Sequence, residues 1–182
     1  TPGYEVVPAT RQITIHDLLT HTAGIGYGMG VASDRWKAAG IQGWYFADRN
    51  EPVSDVVARM PGLPFDAQPG ERYVYGYNTD ILGCIVEKAA GTPLDAYIRD
   101  RVTAPLGMKD TQFFLAAAQK DRLATVYASG PEGKFVRAPE GAKGQGHNVE
   151  GPRRNFAGGA GLLSTARDYA RFLEALRRGG SI

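Results

Sequence analysis

Amphipathic helix patterns recur along this chain, whereas the alternating patterns of half-buried strands are almost missing from it. The clearest helix is predicted over residues 78–90, where apolar side chains share one face and Gly91 follows as a C-terminal cap. One short hairpin is predicted, in which residues 122–127 pair with residues 135–137 across a glycine-containing turn. The predicted fold class is therefore mostly α with minor β, in a single compact unit.

Start signals place the other predicted helices. A capping box at Thr14 and Asp17 predicts a short helix, and Pro52 opens the next one. A further helix restarts at residues 92–93, where a threonine precedes a proline. The last helix begins after Thr165, and its predicted inward face holds Tyr169, Phe172, Leu173 and Leu176.

Three stretches lack helix and strand patterns. Residues 31–50 are predicted to be irregular, and residues 138–156 are predicted to form a long polar loop. The glycine-rich loop at residues 24–30 lacks the Lys-Ser/Thr ending of a phosphate-binding loop. Four aromatic residues of the first stretch are predicted to pack together: Trp36, Trp44, Tyr45 and Phe46.

Composition narrows the function classes. The chain has 43% hydrophobic residues, 22% charged residues and a net charge of +2, which are ordinary values for a globular domain. This charge balance predicts no nucleic-acid partner. No apolar run approaches the roughly 18 residues of a membrane span, so none is predicted. Cys84 is the single cysteine and is interpreted as a small buried apolar side chain.

Three tyrosines crowd the segment PGERYVYGYNTDILG at residues 69–83. This segment and three others, in order along the chain, resemble the serine β-lactamase and penicillin-binding-protein-like family, in particular its esterase branch related to class C β-lactamases. The other three are ITIHDLLTHTAG at 13–24, GTPLDAYIRDRVTAPLGMKDT at 91–111 and AGGAGLLSTARDYARF at 157–172.

The resemblance implies acyl transfer by a serine, with a lysine one helical turn later and a tyrosine that shuttles protons. Tyr75 matches the motif tyrosine of the esterase branch and is the predicted catalytic residue. A shifted alignment, with Tyr77 as the base and Asn78 supporting it, and a purely structural role for both tyrosines are the alternatives. Tyr77 otherwise stands where β-lactamases carry asparagine, which favours ester over β-lactam substrates.

Three residues are predicted to contact the substrate: Tyr77 in the motif, Tyr27 in the glycine-rich loop and His147 in the long loop. His21 suggests a Ser-His-Asp triad, but no Gly-x-Ser-x-Gly elbow accompanies it, and the matching family residue is structural. The three histidines lack metal-ligand spacing, so no metal is predicted, and the resemblance implies no cofactor.

The nucleophile motif of the family is missing from this sequence. None of its five serines has a lysine three residues later, and Ser164, followed by Arg167 at that spacing, matches a helix cap. In the family, the serine–lysine helix and the closing strands lie outside the matching segments. Residues 1–182 are therefore expected to be the inserted helical domain of a β-lactamase/transpeptidase-like α/β fold, inactive without the rest of that fold.

The predicted parent protein is a carboxylesterase that acts on a small-molecule ester or amide, and the missing α/β portion of its own fold is the predicted partner. A β-lactamase and a D-Ala-D-Ala carboxypeptidase are alternatives within the same chemistry. A non-catalytic binding module of the same fold is the alternative of another class. The upstream sequence separates the two classes, because an enzyme needs Ser-x-x-Lys there and a binding module does not.

Overall fold

The computed structural model describes residues 3–43, 49–141, 144 and 146–180. Within these residues the chain is helix-rich and has one two-stranded sheet, which agrees with the predicted mostly α composition. The chain divides into two compact units. The first contains Thr1–Trp44, Glu51–Ala89 and Ala157–Ala160, and the second contains Tyr45–Asn50, Ala90–Phe156 and Gly161–Ile182.

The first unit begins with the predicted capping box. Thr14 Oγ1 accepts a hydrogen bond from Asp17 N at 3.2 Å, and the Asp17 carboxylate accepts one from Thr14 N at 2.8 Å. Helix α1, Ile15–Leu19, follows at once. The Arg11 guanidinium binds both oxygens of the same carboxylate at 2.7 and 2.8 Å, so Asp17 ties the chain before the helix to its first turn.

A helix that the sequence did not predict supplies the centre of this unit. Helix α2, Ser33–Ala38, lies in the stretch predicted to be irregular, so that prediction was wrong there. Its Trp36 is buried, and the indole Nε1 donates to the Pro64 carbonyl at 2.8 Å. Its partners in the predicted aromatic cluster, residues 44–46, lie outside the described residues. The buried apolar residues of this unit include Leu18, Ile25, Ile41, Val53, Val56, Met60 and Tyr77.

The bounds of the remaining α-helices of this unit follow the prediction closely, although the fully buried residues of the second one are Asn78, Asp80 and Gly83 rather than its apolar side chains. Helix α3, Val53–Arg59, starts directly after Pro52, and helix α4 spans Asn78–Ala90. Gly91 follows α4 with a φ of +67°, the left-handed conformation expected of a C-terminal cap.

The second unit contains short elements. Helix α5, Leu94–Ile98, continues into a π-helical turn, Arg99–Thr103, and a 3₁₀-helix spans Ala117–Arg122. The predicted hairpin is present, but its first strand lies later than predicted. Strand β1, Tyr127–Ser129, pairs antiparallel with β2, Phe135–Arg137, and Tyr127 stands opposite Arg137.

The last helix, α6, Ala166–Arg177, turns a different face inward than predicted. Tyr169, Leu173 and Leu176 are 55%, 48% and 55% exposed, whereas Asp168 and Ala175 are buried. The cause is Asp168, whose carboxylate accepts hydrogen bonds from Asp110 N at 2.7 Å and Thr111 Oγ1 at 3.1 Å. No helix among the described residues is long and apolar enough to span a membrane.

Candidate active site

Tyr75 projects from a segment that is fixed by its backbone. Val74 N donates to the His21 carbonyl at 2.7 Å, which attaches this segment to the turn after α1. Gly76 lies directly against the backbone of Ile25 and Gly26, where a Cβ atom would overlap both. Because these contacts hold the backbone on either side of it, the backbone position of Tyr75 is fixed even though the residue is 58% exposed.

Three rings lie against the Tyr75 phenol, and the most distant is Tyr73, which stacks on it at 6.5 Å between centroids and 14°. The imidazole of His21 lies 4.8 Å from it between centroids, at an interplanar angle of 36°. The ring of Tyr27 meets it edge-on at 5.6 Å and 80°. We call His21, Tyr27, Tyr75 and Tyr77 the tyrosine cluster. The cluster brings together three of the four residues that the sequence predicted for the site, and all of its members lie in the first unit.

Tyr77 is the buried member of the cluster. Its ring is 0% exposed, lies edge-on to Tyr27 at 4.9 Å and stacks on Trp36 at 6.0 Å and 19°. Its hydroxyl donates to the Gly43 carbonyl. In this arrangement the buried Tyr77 ring packs against Tyr27 on the core side. The predicted contact of Tyr77 with substrate stays a prediction.

Tyr27 is held as a neutral phenol. Burial of the ring, followed by the neighbouring Tyr75 phenol, raises the pKa of Tyr27 to about 12. Tyr27 therefore keeps its proton throughout the physiological range. A neutral phenol can donate a hydrogen bond to an oxygen next to it, and the oxygen that Tyr75 presents is the nearby candidate.

Asn78, the first residue of α4, lies under the cluster and is fully buried. Its amide nitrogen is 3.0 Å from His21 Nδ1, 3.2 Å from the Ile25 carbonyl oxygen and 3.3 Å from the Val74 carbonyl oxygen. From the sequence alone, His21 is predicted to be structural, and Asn78 belongs to the site only in the alternative alignment. Their contact joins residues 57 positions apart, so no local pattern could have indicated it.

A second loop of the first unit covers the start of α4. Gly159 N donates to Asp80 Oδ1 at 3.2 Å, and a Cβ at Gly158 would overlap the Thr79 carbonyl oxygen. Burial raises the pKa of the Asp80 carboxyl to about 6, although the hydrogen bond from Gly159 opposes this. The glycines of the AGGAG motif therefore permit close approach of Ala157–Ala160 to the helix that carries Asn78.

The other candidate residues lie apart from the cluster in sequence. His147 belongs to the second unit, where it is half-buried and lines a cleft with Lys120, Arg137 and Glu150. Ser164 Oγ is 2.8 Å from Thr111 Oγ1, a structural contact beside the start of α6. Cys84 is half-buried rather than buried as predicted. The pKa of its thiol is raised to about 12, first by burial and then by Glu87, which suppresses the nucleophilic thiolate. No group of metal-ligating side chains occurs in the described part of the chain.

The sequence and the fold match those of known proteins along most of the chain. A family model described as Beta-lactamase matches residues 4–182. An uncharacterized protein of Mycobacterium tuberculosis is 39% identical over 180 residues, which are 96% of this chain and 41% of that protein. Esterase EstB of Burkholderia gladioli is 36% identical over 181 residues, which are 91% of this chain and 44% of that protein.

A solved structure shares the arrangement of the chain. EstCE1, described as a hydrolase with promiscuous acyltransferase activity, superposes with a TM-score of 0.75 at 27% identity, over 93% of this chain and 47% of that one. The chain thus spans less than half the length of each of these three proteins.

Proposed function

Because this chain belongs to the β-lactamase family, we propose that it forms part of a serine hydrolase in which Tyr75 is the proton-transfer group. The observation that carries this proposal is the tyrosine cluster. It holds the Tyr75 ring on two sides and leaves the phenol 58% exposed, which suits a group that must meet a nucleophile contributed by another segment.

The chemistry proposed for the whole protein is acyl transfer. A serine oxygen attacks the substrate carbonyl, an acyl-enzyme forms and water releases the acyl group. Tyr75 relays the serine proton towards the leaving group, and a lysine ammonium beside it favours the phenolate that accepts this proton. Tyr27, a neutral phenol, donates a hydrogen bond that orients the Tyr75 oxygen.

An ester is the substrate class that this site favours. Tyr77 stands where a β-lactamase would present an asparagine amide, and here the side chain is buried with its hydroxyl bound to Gly43. The first unit therefore offers no amide donor at this position for a β-lactam. The names of EstB and EstCE1, an esterase and a hydrolase, support the same choice.

We further propose that residues 1–182 are the inserted helical domain of the family's α/β fold. The share of each relative that this chain matches, below one half, supports the proposal. The exposed leucines of α6 support it too, because exposed apolar side chains on one helix are typical of a surface that another part of a protein covers. The serine–lysine helix and the substrate-binding strands then belong to the remaining sequence, and these residues alone are predicted to be inactive.

Hydrolysis of an activated ester by the full-length protein tests the role of Tyr75. Tyr75→Phe keeps the ring and removes the hydroxyl, so kcat is expected to fall by about 10²–10⁴. Tyr73→Phe is the matched control, since Tyr73 is 62% exposed in the same segment, and it should stay within about twofold. Tyr77→Phe tests the shifted alignment, in which it would produce the large loss instead.

Two outcomes would reject the proposal. Equal activity in the wild type and Tyr75→Phe would remove Tyr75 from the chemistry. Hydrolysis by the isolated 182-residue chain, abolished in Tyr75→Phe, would show that the nucleophile lies within these residues. Turnover of a β-lactam reporter in preference to esters would keep the mechanism and replace the substrate class.

A further inference from the structure

We propose that His21 is a positioning residue for Tyr75, locked by Asn78 so that its ring sets the orientation of the Tyr75 phenol. The inference rests on the proposed function of Tyr75 for its catalytic meaning. The placement itself rests on three observations of the first unit: the backbone of His21, its contact with Asn78 and its packing against the phenol.

The backbone at His21 has a conformation that glycine would adopt at lower cost. His21 ends α1 with a φ of +55°. His21 N bonds to the Leu18 carbonyl at 3.3 Å, and Thr22 N bonds to the Asp17 carbonyl at 2.8 Å, which together form a Schellman motif. The left-handed position of this motif usually holds glycine, and a histidine there carries strain. A cap alone does not explain the residue, so its side chain must have a role.

Asn78 fixes the imidazole. Two of the three atoms close to the Asn78 amide nitrogen are carbonyl oxygens, those of Ile25 and Val74, which only accept hydrogen bonds. This identifies the atom as the NH₂ nitrogen, which accepts no hydrogen bond and shares its two hydrogens among the three neighbours, so it is the donor in its shortest contact, 3.0 Å to His21 Nδ1. The neutral imidazole therefore carries its hydrogen at Nε2, and its ring cannot flip without losing the bond.

Asn78 is an energetically costly residue at this buried position. The Asn78 side-chain oxygen is buried and has no hydrogen-bond partner. Burying an acceptor without a partner costs free energy, and Asn78 incurs this cost while its nitrogen donates to the neighbouring acceptors. A small apolar residue would avoid that penalty. The hydrogen bonds that its nitrogen donates explain the amide at this position, and the nearest acceptor among its contacts is the histidine ring.

The locked ring faces the tyrosines. The centroid of the His21 ring is 4.8 Å from that of Tyr75 and 5.6 Å from that of Tyr73. Tyr27 packs edge-on against the Tyr75 ring. An exposed phenol on a fixed backbone still has side-chain rotamers to choose from. Packing against a ring that is itself held removes this freedom, and a misplacement of about 1 Å at a reacting group can cost about 10²-fold in rate.

His21→Gly in the full-length protein separates positioning from capping. Glycine relieves the strained backbone and keeps the Schellman motif, so a residue that only caps the helix should lose nothing. Glu132→Gly is the matched control, because Glu132 also has a positive φ, +58°, but lies in the exposed turn of the β1–β2 hairpin. Unfolding midpoints of both variants verify that the fold is retained.

Two readouts are needed, and the first is independent of catalysis. Ring ¹⁵N NMR of wild-type His21 is expected to show a hydrogen on Nε2 and an accepting Nδ1. The Tyr75 ring signals in His21→Gly should move to values typical of a mobile tyrosine, whereas Glu132→Gly leaves them unchanged. The second readout is ester hydrolysis, in which kcat of His21→Gly falls about tenfold or more with KM within about twofold.

The outcomes distinguish the two proposals. Unchanged Tyr75 signals in a folded His21→Gly, or a hydrogen on His21 Nδ1, would overturn the positioning role. Moved Tyr75 signals in a protein whose wild type hydrolyses neither an ester nor a β-lactam would support the positioning of the phenol by His21 and reject the proposed function. A loss that appears in KM with kcat unchanged would overturn the catalytic meaning of the positioning.

Discussion

Gly76 shows how one residue without a side chain fixes the direction of its neighbours. It separates Tyr75, which points outward, from Tyr77, which points into the core. The separation works because the backbone at Gly76 touches the backbone of Ile25 and Gly26. The sequence showed three tyrosines in five residues, but which of them is exposed depends on this contact across about 50 residues.

Gly76→Ala is expected to destabilise the protein and disturb Tyr75. The added methyl group overlaps backbone atoms, which cannot move aside as a flexible side chain would. We expect a loss of about 2 kcal/mol or more in the free energy of unfolding, measured by urea denaturation. Gly62→Ala is the control, since a Cβ there meets nothing within 4 Å, and it should change stability by less than about 0.5 kcal/mol. Equal effects of the two substitutions would contradict the close approach at Gly76.

Helices with local start signals were predictable from the sequence, and helices held by distant contacts were not. Thr14 and Asp17 bond within one turn, so the capping box that opens α1 was visible in the sequence. Helix α2 has no side-chain cap and is held by the burial of Trp36, so it was missed. The inward face of α6 was predicted from apolar periodicity, which the bonds of Asp168 to residues 110–111 override.

Helix α4 should give the protein a distinctive pH dependence through Asp80. Its pKa rises from 3.8 to about 6 on folding, so the folded state prefers the neutral carboxyl. The contribution of the neutral Asp80 carboxyl to the free energy of unfolding is fully present below about pH 4 and is lost as the pH rises through about 6. Asp80→Asn should therefore gain stability over the wild type between about pH 4 and pH 7, by up to about 3 kcal/mol.

Asp17 provides the control of opposite sign. Hydrogen bonds, first from Arg11 and then from Thr14, hold the pKa of that carboxyl well below its ordinary value. Its contribution is present at neutral pH and disappears only in strong acid, so Asp17→Asn should be less stable than the wild type at pH 7. Urea midpoints measured across this range check both residues. A constant difference between Asp80→Asn and the wild type at all pH values would contradict the raised pKa.

Helix α6 exposes an apolar face, formed by Tyr169, Leu173 and Leu176, that no other part of this chain covers in the described residues. If the rest of the fold covers this face, Leu173→Glu combined with Leu176→Glu should destabilise the full-length protein by about 2 kcal/mol or more. Arg167→Ala, on another exposed face of α6, should change stability by less than about 0.5 kcal/mol. An unaffected unfolding midpoint in the double variant would show that the face is also free in the full-length protein.

The family was predictable because four motifs keep their order along the chain, and the family match over residues 4–182 confirms it. The candidate site was predictable only in part. Tyr75 stood out in its motif, whereas the packing of His21 against it and the lock by Asn78 depend on contacts more than 50 residues apart in sequence. Such contacts leave no periodic signal, so the residues that pack around Tyr75 could not be predicted from the sequence.

The most direct test of the account is the location of the nucleophile. The full-length protein would be treated with a fluorophosphonate serine probe, and the modified peptide would be identified by mass spectrometry. We predict a single adduct, on a serine that lies outside these 182 residues and is followed three residues later by lysine. An adduct on Ser33, Ser54, Ser129, Ser164 or Ser181, or ester hydrolysis by a protein that takes up no probe, would contradict the claim that Tyr75 serves a nucleophile from the rest of the fold.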